Sequence, residues 1–255
     1  MQRLPVTPVV FSLFVGLLMC VACGSDTPTA IPTPPPELNE TPLNTKLFIE
    51  ALFLGTGPLA DYSNRGCATQ DDRMVGWPEG SLVTISMAPT LSPDERAGVI
   101  GPAAQAREAT GGAVSTSVEL ANEPEPPPPT GEIGVAQLSK DEVSRICGSS
   151  AASLCALITQ SGGIIRSARI VGVANTGGGF SHELGHALFG LCHLNPASLV
   201  YRNIEGQSPS SMMGAASGGR QLTDDDLRAI RAVYAAGLRA GASRSQFIQA
   251  GLINP

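Results

Sequence analysis

All three histidines of the chain lie within twelve residues, in the segment HELGHALFGLCH at 182–193. His182 and His186 are four residues apart, so on a helix their rings project side by side, one turn apart. Two neutral imidazoles in this arrangement can clamp a divalent metal ion, and imidazole suits zinc. Glu183 follows the first histidine, where its carboxylate can take a proton from a water activated by the metal. The alternative is a pair of structural histidines on a buried helix.

Three features outside this pair favour the metal interpretation. His193 follows Gly190 by three residues, and a glycine at a helix end allows the chain to turn back under the metal. The stretch SSMMG lies downstream at 210–214, and the stretch LTDDDLRAIRAVY follows at 222–234. Taken together, these segments resemble the metzincin clan of zinc peptidases, and within it the matrixin-like branch, over about residues 164–236.

The resemblance implies a role for each matching residue. His182 and His186 would be zinc ligands, Glu183 the general base, and Met213 the apolar floor beneath the metal in a tight turn. The clan's third ligand is a histidine brought in by a glycine turn. A protein or peptide substrate would lie extended along an edge strand, from the predicted hairpin at 153–173.

The spacing departs from the clan by one residue. The clan pattern is HExxHxxGxxH, whereas this chain has HExxHxxxGxxH, with Phe189 at the position of the glycine. Counting from His182 places the third ligand at Cys192, and a thiolate can bind zinc. Counting from Gly190 places it at His193, which we expect, because the glycine sets where the chain reverses. A bulge or one further helical residue before Gly190 would absorb the insertion.

The N-terminus is typical of an exported lipoprotein. Arg3 precedes an apolar run from about 9 to 21, which is short for a membrane span, and the run ends in CVAC. This ending is similar to a bacterial lipobox, and it predicts a signal peptide at 1–22 and a lipid on Cys23. The protein would then be exported and anchored to a membrane of the cell envelope. The alternative is an uncleaved membrane anchor.

Export determines how the other cysteines are interpreted. Cys67, Cys147, Cys155 and Cys192 remain after processing, and an even number in an oxidising compartment indicates two disulfides with three possible connectivities. The short spacing of Cys147 and Cys155 suits a small loop, which would leave Cys67 with Cys192. Free buried thiols are the alternative.

The remaining sequence predicts an α+β domain: a metzincin-like zincin with a twisted mixed sheet, an active-site helix and a C-terminal helix. A Pro/Thr-rich tether occupies 23–46 and the domain 47–255. Strands are predicted at 47–54, 81–88, 113–121 and 131–138 and in the hairpin, with a surface loop at 123–129. A helix is predicted after the capping residue Ser92, and a short helix after Ser139. A further helix is predicted after Thr223, which can cap it with Asp226 three residues on.

The composition narrows the function. The net charge is −6 and only 15% of residues are charged, so there is no electrostatic case for binding nucleic acid. The three acids at 224–226 are expected to face the positive end of a helix instead of binding calcium.

From the resemblance and the N-terminal segment together, we predict a monomeric, lipid-anchored zinc metalloendopeptidase. The alternative is a non-catalytic surface-binding lipoprotein on a decayed zincin scaffold.

Overall fold

The computed structural model describes residues 45–62, 67, 72–121, 128–176, 178–195, 211–214 and 221–255, together with the backbone of 19–24. Most of the predicted signal peptide and tether, and most of the proline-rich loop, lie outside these residues. Within the described part of the chain, no helix has the length and apolar character needed to cross a membrane.

A mostly parallel sheet forms the centre of the α+β fold. The strands are β1 (Met19–Gly24), β2 (Ser81–Met87), β3 (Val114–Leu120), β4 (Glu132–Gln137), β5 (Ala152–Ser161) and β6 (Ile164–Gly172). Five of them lie in the order β5-β6-β4-β2-β3, and β5 runs antiparallel to its neighbour β6. The sixth, β1, lies antiparallel along the outer edge of β5. The three strands and the hairpin predicted after residue 80 are confirmed, apart from small shifts at their ends.

The strand predicted at 47–54 is wrong, because this segment is helix α1 (Thr45–Leu54). Every residue from Phe48 to Leu54 is buried, including Glu50. A helix buried on all sides is apolar all round, so its sequence loses the 3.6-residue period that distinguishes it from a buried strand. Arg244 compensates the buried carboxylate of Glu50 at 2.6 Å.

The predicted helix starts are confirmed. Ser92, Ser139 and Thr223 each form a capping box with the acid three residues on. The corresponding helices are α2 (Pro93–Ala109), α3 (Lys140–Cys147) and α5 (Asp224–Ala235), and the histidine segment forms α4 (Gly179–Phe189). A further helix, α6 (Arg244–Gln249), was not predicted. The large apolar residues of α5, and Leu238 just beyond it, are buried: Leu227, Ile230, Val233, Tyr234 and Leu238.

The two faces of the sheet are covered by different helices. Alternate residues of β5 point to opposite faces, so Leu154 belongs to the main core with α4, whereas Cys155 packs with α3 in a smaller cluster. A disulfide between Cys147 and Cys155 ties α3 to the sheet. The second disulfide joins Cys67 to Cys192 on the side of α4. The pairing favoured by the spacing is therefore confirmed, and two disulfides indicate an oxidising, extracellular environment.

Candidate metal centre

The three histidine rings converge on one point. The Nε2 atom of His193 lies 2.9 Å from the Nε2 atoms of both His182 and His186, and the latter two are 3.2 Å apart. His186 and His193 are buried, and His182 is partly exposed. The three side chains form a group that could hold a metal ion.

Backbone carbonyls fix the protons of the two helical histidines. His182 Nδ1 lies 2.6 Å from Met212 O, and His186 Nδ1 lies 2.6 Å from Leu191 O. A carbonyl only accepts hydrogen bonds, so each Nδ1 carries the hydrogen and each neutral ring turns an Nε2 lone pair to the centre. Lone pairs facing each other at 3.2 Å repel, and a cation bound by both nitrogens would remove this repulsion.

Protonation does not relieve this repulsion. Burial, followed by the neighbouring His193, lowers the pKa of His182 to about 4. Burial also holds the pKa of His186 well below its ordinary value, and both other histidines contribute in the same direction. At neutral pH the His182 and His186 rings are therefore uncharged, which is the form that binds a metal. Three convergent imidazole nitrogens, two of them on rings whose second nitrogen is held by a carbonyl, suit a divalent metal ion.

Glu183 is placed by the same helix. It follows His182 in α4 and its side chain is completely buried. The role of general base that the sequence suggests for this carboxylate stays a prediction. The helix begins after Gly178, which has no side chain with which to cap it.

The helix ends in a wide last turn. The Gly190 N–H points to the carbonyls of both Gly185 and His186, and the Leu191 N–H reaches the Gly185 carbonyl at 3.2 Å. Gly190 adopts a left-handed conformation with φ 67°, and a Cβ there would lie 2.1 Å from the Val75 carbonyl oxygen. The additional residue, Phe189, is thus the last residue of the helix, and the chain reverses at the glycine, as the Gly-x-x-His spacing predicts.

Beyond this turn His193 joins the cluster, whereas Cys192 is bonded to Cys67. The segment that carries His193 lies between two others. On one side, the Cys192 N–H donates to Leu52 O at 2.8 Å and the Asn195 N–H donates to Leu59 O at 2.9 Å. On the other side, the Leu194 N–H donates to Met213 O at 3.2 Å.

The turn at Ser211–Gly214 lies against α4. Met213 is buried, and a Cβ on Gly185 would come within 2.6 Å of its sulfur, so the glycine of the HELGH segment admits the methionine. The floor role that the resemblance implies for Met213 stays a prediction. The neighbouring residue Met212 orients His182 through its backbone carbonyl.

Asp226 connects this turn to α5. Its carboxylate accepts hydrogen bonds from Ser211 Oγ at 2.5 Å and from the Met212 N–H at 2.9 Å, besides capping the helix with Thr223. Burial raises the pKa of Asp226, although these hydrogen bonds act in the opposite direction. The sequence predicted the capping role through the spacing to Thr223. The link to the turn has no local signal.

Cys23, the predicted lipid site, lies in β1, of which only the backbone is described.

No family model, no curated protein and no solved structure matches this chain.

Proposed function

We propose that this protein is an exported, lipid-anchored zinc endopeptidase of the metzincin type. The observation that carries the proposal is the convergence of three imidazole Nε2 atoms to within 3.2 Å of one another, in a group that could hold a metal ion. The resemblance of the HELGH segment to the metzincin clan supports zinc as the metal and peptide bonds as the substrate. The Met213 turn against α4 and the antiparallel direction of β5 against β6 are consistent with it.

In this proposal His182, His186 and His193 hold the metal, and Glu183 is the general base. When bound, zinc lowers the pKa of a water to about 7 and polarises the scissile carbonyl. The Glu183 carboxylate accepts the proton of the attacking water and returns it to the departing amide nitrogen. The complete burial of Glu183 in α4 supports this role, because it limits the conformations open to the side chain before substrate binds.

The substrate would bind as an additional strand on β5. The outer edge of β5 pairs antiparallel with residues Met19–Gly24 over Ala152–Ile158, which supports its capacity to take up an extended chain. Removal of a signal peptide at 1–22 would take away Met19 to Ala22 and leave most of this edge for a peptide.

The proposal is tested on a soluble, secreted form of the protein that begins at Gly24 and so lacks the signal peptide and the lipidated cysteine. We expect one zinc per chain by elemental mass spectrometry and cleavage of a peptide library, lost with a chelator and restored by zinc. Absence of any bound metal would refute the proposal. Zinc without cleavage would instead support the non-catalytic binding lipoprotein.

Anchoring is tested separately. Because CVAC follows the apolar run, Cys23→Ser should abolish incorporation of labelled fatty acid and release the protein from membranes or block its processing. Cys20→Ser is the matched control and should leave labelling intact, since the bulky Met19 before it makes Cys20 a poor lipid site. A wild-type chain that never takes up label would overturn the anchor.

A further inference from the structure

The third histidine is placed differently from the other two. His182 and His186 are fixed by the hydrogen bonds of α4, whereas His193 lies beyond the helix end, on a segment without regular secondary structure. Its distance from the other rings therefore depends on what holds residues 191–195 against the rest of the molecule.

Two kinds of contact hold this segment. Main-chain hydrogen bonds join Cys192 to Leu52 and Asn195 to Leu59, so the end of α1 and the turn after it support the segment. The covalent contact is the disulfide between Cys192 and Cys67, two residues that are 125 positions apart in sequence. It is attached to the residue immediately before His193.

The surroundings of this disulfide are closely packed. Cys192 is completely buried, and a Cβ on Gly55, the residue after α1, would lie 2.9 Å from the Cys67 sulfur and 3.3 Å from the Cys192 sulfur. The end of α1, the disulfide and the backbone of His193 are therefore in direct contact. A shift of Cys192 would be transmitted to His193 through a single peptide unit.

We propose that the Cys67–Cys192 disulfide is a positioning element of the metal centre, which holds His193 where it completes the site. The inference rests on the metal site of the proposed function, and not on peptidase activity. Each backbone bond around Cys192 can break and re-form by itself, but the covalent bond limits how far the segment moves when they do. Without it, binding a metal must first order the segment, and the affinity falls.

The second disulfide offers a matched control. Cys147–Cys155 is buried on the opposite face of the sheet and packs with α3, away from the histidines. We expect Cys67→Ala/Cys192→Ala to weaken zinc binding roughly tenfold, the lower end of the effect of losing an outer partner of a metal ligand. Cys147→Ala/Cys155→Ala should change the zinc affinity less than twofold. Competition with a chromogenic chelator measures both, and the visible spectrum of the cobalt form reports the geometry.

Equal zinc affinities in the two double variants would overturn the inference. A wild-type chain that binds neither zinc nor cobalt would instead refute the metal site itself, so the two failures are distinguishable. If circular dichroism shows that the first variant does not fold, Cys67→Ala/Cys192→Val refills the buried volume without the bond. Wild-type protein reduced with a phosphine and alkylated, with the opened pair identified by mass spectrometry, gives the same comparison without substitution.

Discussion

The candidate metal centre consists of a helical half and a loop half, which are held in place by different kinds of contact. One half is helix α4, in which the spacing of His182 and His186 and the intervening Glu183 follows from local geometry. The other half is a set of loop segments, in which His193 and Met213 are placed by contacts between residues distant in sequence. We therefore expect the helical half to carry the chemistry and to tolerate changes elsewhere, and the loop half to control how tightly the metal is held.

The sharpest separation of the two halves comes from Glu183. Glu183→Gln should reduce peptidase activity by about 10²–10⁴-fold, the usual contribution of a general base. The same variant should retain zinc near one per chain, because the glutamate is not one of the converging ligands. Rates on a fluorogenic peptide, with zinc measured on the same sample, check both statements. A variant that cleaves at the wild-type rate would remove Glu183 from the mechanism.

Single ligand deletions compare the halves directly. His193→Ala leaves two imidazoles ready on one helix, whereas His186→Ala leaves one helical and one loop ligand. Both variants should weaken zinc binding more than about 100-fold, which exceeds the usual loss when a residue that hydrogen-bonds to a metal ligand is removed. The loss should be larger for His186→Ala than for His193→Ala. Chelator competition measures the affinities. Cys192→Ser should weaken binding only about tenfold, since it removes a support and not a ligand. If Cys192→Ser weakened zinc binding more than about 100-fold and His193→Ala did not, the third ligand would be Cys192.

The same division explains what the sequence could predict. The spacing of His182 and His186, the turn at Gly190 and the helix starts at Ser92, Ser139 and Thr223 are local patterns, and all were predicted from the sequence. Helix α1 was mistaken for a strand because complete burial removed its period. The contacts of Leu52 and Leu59 with the His193 segment lie more than a hundred residues away in sequence, where no local pattern reaches.

Two glycines at helix ends test the junction between the halves. Gly148 after α3 and Gly190 after α4 have nearly the same left-handed backbone, with φ 70° and 67°. Gly148→Ala should cost about 1–2 kcal/mol, the left-handed penalty alone, because no atom lies near its Cβ position. Gly190→Ala adds a contact with the Val75 carbonyl, which raises the loss to about 3 kcal/mol or more. Urea unfolding of the metal-free proteins measures both. Equal losses would mean that the reversal at Gly190 is not tightly packed.

The smallest effect is expected at Asp226, which supports the loop half from α5. Met212 links Asp226 to the histidine cluster. The Met212 N–H donates to the Asp226 carboxylate, and the Met212 carbonyl accepts from Nδ1 of His182. Asp226→Ala leaves the Ser211 hydroxyl and the Met212 N–H without this acceptor, at a cost of about 2 kcal/mol in the free energy of unfolding. Zinc affinity should fall severalfold with it, as His182 loses a fixed orientation.

The control for this variant is Asp224→Ala. Asp224 is exposed in the same first turn, so the substitution removes the same charge from the helix end and should cost only about 0.3–1 kcal/mol. Asp224→Ala should leave zinc affinity unchanged, since the turn at Ser211–Gly214 is hydrogen-bonded to Asp226 and not to Asp224. If both variants lowered stability equally and neither changed zinc affinity, Asp226 would be a helix cap alone, and the loop half would depend on the disulfide and the backbone bonds around His193.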